Sequence, residues 1–143
     1  MYLFRHAAFG CPMLKTKSVW TAIDRKADGL RLLVTRFRGR AMLTSRYDVW
    51  MPSLGPSELI LRQGQGGKIT WAQFKRQYCK ELFLDGPIDR RSRTIKNHGQ
   101  KFTLRLIKRL ARRGNVTLLC HCAEDQIQCH RRELQALILS NRV

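Results

Sequence analysis

Between Leu118 and Glu133 the chain reads LLCHCAEDQIQCHRRE, a segment with three of the protein's five cysteines, two histidines and two arginines. Thiolates and imidazoles serve as nucleophiles, proton carriers and ligands for soft metal ions, so their concentration after an apolar run marks where chemistry is to be sought. Three readings stay open. In the first the segment belongs to an enzyme. Cys129 or Cys120 is then the nucleophile, with Cys122 beside them. His130 or Glu124 moves protons, and Arg131 and Arg132 fix an anionic, phosphate-bearing substrate.

In the second reading Cys120, Cys122 and Cys129, joined by His130 or His121, form a four-coordinate set for zinc. Cys-x-Cys followed six residues later by Cys-His departs from the paired C-x2-C knuckles of zinc ribbons. In an extended segment Cys120 and Cys122 share one face and His121 opposes them. In the third reading the cysteines are packed and inert at a strand end, although the adjacent histidines and arginines fit poorly with a purely apolar setting.

The elements around the segment decide where it lies. Val116 to Leu119, VTLL, is short and apolar and reads as a buried strand, and Glu133 to Leu139 reads as a closing helix with Leu134, Leu137 and Ile138 inward. Cys120 and Cys122 then end a strand, while Cys129 and His130 open a helix, which is the crevice where open α/β sheets bind ligands. The helix start offers free N–H groups and a partial positive charge, which favour a bound anion and also favour thiolate at Cys129.

Upstream, Leu14 to Ile23 and Leu30 to Phe37 read as strands separated by the turn DRKADG, with Gly29 available for a positive φ. Arg36 to Pro56 is irregular, a short helix runs from the Ser57 cap through Leu61, and Gly64, Gly66 and Gly67 break the chain as a connector. Thr70 starts a helix with Trp71, Phe74, Tyr78 and Leu82 on one stripe, in which Cys79 is given no role. DGPIDRRSRTIKNHG reads as a basic loop. Gln100 to Arg113 reads as a helix with Phe102, Leu106, Ile107 and Leu110 inward. Strands interleaved with helices predict one α/β domain over residues 14–143, a three-layer, Rossmann-like arrangement with a small, mainly parallel sheet flanked by helices. Residues 1–13 read as an N-terminal arm.

The charge balance is unusual: 28 Lys+Arg against 10 Asp+Glu leave a formal +18. Such a field favours phosphate-bearing partners, an anionic ligand or nucleic acid. Between Arg90 and Arg113 there is no carboxylate, so Arg90, Arg91, Arg93, Lys96, Lys101, Arg105, Lys108 and Arg112 form the expected polyanion-facing surface of a basic nucleic-acid-binding module, the alternative to an enzyme. No apolar run is long enough for a membrane span, nothing near Met1 to Phe9 has the core of a signal peptide, and a cytoplasmic location is expected.

TLLCHCAEDQIQCHRRELQALI resembles the C-terminal motif of the family named domain of unknown function 488. DGLRLLVTRFRGR is similar to that family's early strand and following loop, and WMPSLGPSELI with WAQFKRQYCKEL resembles the middle of its YeaO-like branch. The likeness covers about residues 14 to 140. It implies a compact α/β domain of unestablished activity. It also implies functional positions at Cys122 or Cys120, Cys129, His130 and Arg131, and at Arg36, an anion-binding candidate after the second strand. The sequence departs from the family pattern at Thr35, where an aspartate is common, and at Phe37 and Arg38, where a tryptophan-proline pair is common.

Overall fold

The structure is a computed structural model that describes residues 13–143. The expected N-terminal arm lies, apart from Met13, outside the described residues. Four strands, β1 (Leu14–Ser18), β2 (Leu30–Leu33), β3 (Val49–Trp50) and β6 (Val116–Cys120), form one sheet in the order β1-β6-β2-β3, and every neighbouring pair is parallel. The protein is thus a mixed α/β domain with a parallel sheet flanked by helices, as expected.

Strand β6 holds the centre. All five of its residues are buried, which suits an apolar VTLLC run flanked on both edges. Its one polar side chain, Thr117, donates to the Asp28 carbonyl at 2.7 Å. Strands β1 and β2 are consecutive in the chain yet lie on opposite sides of β6. Between them DRKADG forms a one-turn helix, α1 (Arg25–Asp28), capped by the Asp24 carboxylate, where a bare turn was expected. Gly29 takes a φ of 61°, as its position required. The strands end sooner than their apolar runs, at Ser18 and Leu33.

The longer helices are α2 (Glu58–Gln65), α3 (Trp71–Leu82), α4 (Lys101–Ala111) and α5 (His130–Leu139). Their buried residues, among them Ile60, Phe74, Leu104 and Leu134, join Leu14, Leu32, Val116 and Leu118 in one core. A smaller cluster of Val19, Leu33, Met42 and Leu119 is lined by Tyr47 from the long loop before β3. Helix α3 starts with a full capping box between Thr70 and Gln73.

Four expectations are corrected. Helix α2 continues past Leu61 to Gln65, so Gly64 is helical and not a break; a Cβ there would come within 2.9 Å of the Phe74 ring. The irregular stretch contains β3, a two-residue strand paired with β2. The basic loop folds into an antiparallel ribbon, β4 (Pro87–Asp89) with β5 (Ser92–Lys96). In α4 the buried face is Leu104, Ile107 and Ala111, while Phe102, Leu106 and Leu110 face solvent. Two apolar stripes run along that helix side by side, and packing against α5 and β6 selects the one with the slimmer side chains. Among the described residues no helix is long and apolar enough to cross a membrane.

Candidate functional site

The parallel strands deliver their carboxyl ends to one edge of the sheet. There Val19 donates to the Cys120 carbonyl at 2.9 Å and Val34 to the Leu119 carbonyl at 3.0 Å. The chain leaves β6 at Cys120, runs through an exposed loop and re-enters at Cys129, the N-cap of α5. This excursion brings the sulfurs of Cys120, Cys122 and Cys129 within 4.8 Å of one another, with Cys120 and Cys129 buried and Cys122 half-buried. The Cys120 and Cys129 sulfurs are 3.2 Å apart.

Two arginines of α5 shape the loop. Arg131 is fully buried and donates to the Cys120 sulfur at 2.8 Å, to the Cys122 carbonyl at 3.3 Å, and to the Ala123 and Glu124 carbonyls at 3.0 Å each. Arg132 holds the Gln126 and Glu124 carbonyls at 2.9 Å each. The Arg131 guanidinium is therefore engaged by the protein's own Cys120 sulfur and loop carbonyls. Only a fold that stacks α5 over the end of β6 brings this guanidinium into the loop, so the sequence carried no signal for it beyond the Cys-His-Arg run.

The remaining candidates have distinct places. His130 is buried, and its Nε2 pairs with the Val34 carbonyl at 2.7 Å, so it does not join the sulfurs as a fourth ligand. Burial holds its pKa below the ordinary imidazole value, with the Arg131 charge adding to the effect. His121 turns to the Phe37 carbonyl at 3.1 Å. The Glu124 carboxylate accepts from the Ser18 N–H and from the Thr21 hydroxyl, tying the loop to the end of β1. Partial burial opposes its charge, but those hydrogen bonds and the Arg131 field hold its pKa below the usual carboxylate value. Arg36 lies elsewhere, bonded to the Gly55 and Pro56 carbonyls in a hollow shared with Glu81 and Gln100. The basic residues from Arg90 to Arg112 sit on the ribbon and on α4, and none lines the sulfur site.

The three thiols titrate as a unit. The Cys122 pKa falls far below the ordinary thiol value, because the neighbouring Cys120 and Cys129 thiols favour its charged form and the Arg131 charge adds positive potential. The counterpart is an upward push at Cys129, through its hydrogen bond to Cys120, the nearby Cys122 sulfur and burial. Cys120 is likewise raised, first by the Cys122 sulfur beside it. The negative charge of the trio thus settles on Cys122, with Cys120 and Cys129 kept as thiols and the Arg131 guanidinium beside them.

Beside the sulfurs lies a groove of about 360 Å³ lined by Cys122, Cys129 and His130 on one side and by α2 and α3 on the other. Trp71 and Phe74 stack with ring centroids 5.1 Å apart along that far wall, and Gln65, Gln126 and Gln128 add amides at its rim. The set also fits a thiophilic ion. All three sulfurs lie within 4.8 Å of one another, and soft thiolate donors are the type that zinc takes.

Fold and site together define a small α/β domain with a three-cysteine cluster at the carboxyl edge of its sheet. Over residues 14–142 the chain matches the family DUF488-N3a, described as the active DUF488-N3 subclade, and it belongs to that family. No curated protein and no solved structure matched the chain.

Proposed function

We propose that this protein is an enzyme whose reactive group is the Cys122 thiolate, acting on a guest held in the adjoining groove. The observation that carries this reading is that Cys122 is the half-exposed member of the trio, lines the groove, and has its pKa held down by its neighbours. The thiolate attacks an electrophilic carbon of the guest, a sulfur–carbon bond forms, and the leaving group departs with its bonding pair and takes a proton from water. With the Nε2 proton given to Val34, Nδ1 of His130 is the basic nitrogen, suited to take a proton from the water that then cleaves the sulfur–carbon bond. Arg131 and Arg132 hold the loop, leaving the aromatic wall and the glutamine amides to position the guest. The family's description as active accords with this reading.

Alkylation with iodoacetamide, mapped by mass spectrometry, tests it. Cys122 should react at pH 6 about tenfold or more faster than a free peptide thiol, since its thiolate fraction is far larger. A rate no greater than the free thiol's at pH 7 overturns the reading.

A second reading is favoured by charge. Three thiolates around a divalent zinc leave one negative charge, and Arg131 supplies the matching positive one against Cys120. Cys120, Cys122 and Cys129 would hold the ion, whose open fourth position would offer a Lewis acid to the groove. Elemental analysis of protein purified without chelators decides between the two. One zinc per chain with protected thiols establishes the second reading, and a metal-free protein with a reactive Cys122 establishes the first.

A further inference from the structure

The ribbon β4–β5 is the part of the fold that the sulfur site leaves without a use. Every residue of its strands except Asp89 and Ser92 is exposed, Ile88 and Ile95 included. A two-stranded ribbon standing alone in water is marginally stable and gains from a partner that covers it. Its turn is held by Asp89, which accepts from the Arg91 backbone N–H at 2.8 Å and pairs with the Arg91 guanidinium at 2.9 Å. Its base is closed by the Asn97 N–H on the Gly86 carbonyl at 3.1 Å and by His98 against Asp85 at 2.6 Å.

The side chains presented outward are Arg90, Arg91, Arg93 and Lys96, and α4 follows with Arg105, Arg109, Arg112 and Arg113 exposed. Among the described residues, Arg91 with Asp89 is the only ion pair that an arginine or lysine from Arg90 to Arg113 makes with an aspartate or glutamate. The chain carries +18 overall, so a second copy of itself is repelled from this face.

We infer that the ribbon is an arm that enters a groove of double-stranded nucleic acid, with the basic flank of α4 on the neighbouring phosphates. Three observations converge on that occupant. The shape is right, because the major groove of a B-form duplex admits a two-stranded ribbon. The cations are mainly arginine, whose planar fork matches phosphate oxygens and base edges better than an ammonium does. Ile88 and Ile95 give the ribbon an apolar surface suited to thymine methyl groups and sugar edges.

Fluorescence anisotropy with labelled duplex DNA and duplex RNA, titrated between about 50 and 200 mM salt, is the test. Arg90→Ala, Arg91→Ala, Arg93→Ala and Lys96→Ala combined should weaken duplex DNA binding about tenfold or more and reduce the salt slope by about 2. A control of equal charge change on other exposed cations, Arg62→Ala, Lys68→Ala, Arg76→Ala and Lys80→Ala combined, should cost about threefold or less. If a circular-dichroism melt finds the ribbon variant unfolded, the pair Arg93→Gln and Lys96→Gln, which leaves the turn intact, is read in its place. It should lower the slope by about 1 to 2. Equal losses from ribbon and control variants overturn the inference, since a diffuse field would suffice. So do absent binding at low salt, tighter binding to single strands than to duplex, and capture by phosphatidylserine vesicles in preference to duplex.

Discussion

The guanidinium of Arg131 lies 2.8 Å from the sulfur of Cys120, while its second amino group grips the carbonyls of Ala123 and Glu124. One buried cation thereby balances the charge of the thiol cluster and closes the loop that carries Cys122. Electrostatics and loop shape are coupled through this side chain, because the same buried guanidinium serves both the sulfur and the loop carbonyls.

Replacing Arg131 therefore acts on both. Arg131→Met leaves the Cys120 sulfur and several carbonyls without their donor and the Cys122 thiolate without its nearby cation, and the expected cost is about 3 to 5 kcal/mol in urea unfolding. Arg131→Lys keeps the charge, but one ammonium cannot span the sulfur and three carbonyls. It should destabilise less and still raise the pH midpoint for Cys122 alkylation by about one unit. An unchanged midpoint in the lysine variant would show that the guanidinium does not tune the sulfurs.

The cysteines should also be separable from one another. Cys122→Ser should abolish rapid alkylation and leave the fold intact, because this residue is half-exposed. Cys129→Ala removes a neighbouring thiol that favours the charged form of Cys122, so the labelling midpoint should move up while the site of labelling stays the same. Transfer of fast labelling to Cys120 in either variant would identify a different nucleophile.

How far the sequence disclosed this arrangement depended on whether a segment's burial was written into its own spacing. Trp71, Phe74, Tyr78 and Leu82 declare the inner face of α3, and three of the four are buried with Trp71 packed beside them. VTLL declares β6. The ribbon stayed hidden because neither of its faces is buried, so no alternation of apolar and polar residues exists to be read. In α4 both Leu104–Ile107–Ala111 and Phe102–Leu106–Leu110 satisfy helical spacing, and only the tertiary contact decides between them. At the site, the clustering of Cys120, Cys122 and Cys129 followed from strand end and helix start. The roles of Arg131 and the Val34 carbonyl required knowing which strand ends meet.

Acid should unfold the protein in two stages. His130 has a folded pKa depressed below its ordinary 6.5, so the unfolded chain binds more protons below that pH and stability falls as pH drops from about 6.5 toward the folded value. Asp28 is buried between Lys17, at 3.0 Å, and Arg31. Burial opposes its charge, but the Lys17 and Arg31 pairing brings its pKa below 3.8, so its contribution is intact above that value and disappears as pH falls through the folded pKa. Urea midpoints at pH 7.5, 5.5 and about 3 should decline at each step, and His130→Asn should flatten the first decline while sparing the second. A first decline that persists in the asparagine variant would assign it to another group.

The backbone at Gly29 allows the cost of a close approach to be separated from the cost of a positive φ. Gly29 has a φ of 61°, and a Cβ there would fall 2.0 Å from the Asn115 carbonyl oxygen, where the turn before β6 crosses the start of β2. That contact cannot relax cheaply, because the same oxygen accepts the Leu30 N–H at 2.9 Å and so sets the β2–β6 register. Gly67 has a similar φ of 68° with nothing within 4 Å of the built Cβ. Gly67→Ala should then cost about 1 kcal/mol, the strain of a left-handed backbone alone. Gly29→Ala should exceed it by about 2 kcal/mol or more in the same unfolding assay, since backbone must move to admit the methyl group. Equal costs at the two positions would mean that the Asn115 turn yields freely, and that the central strand is not seated by it.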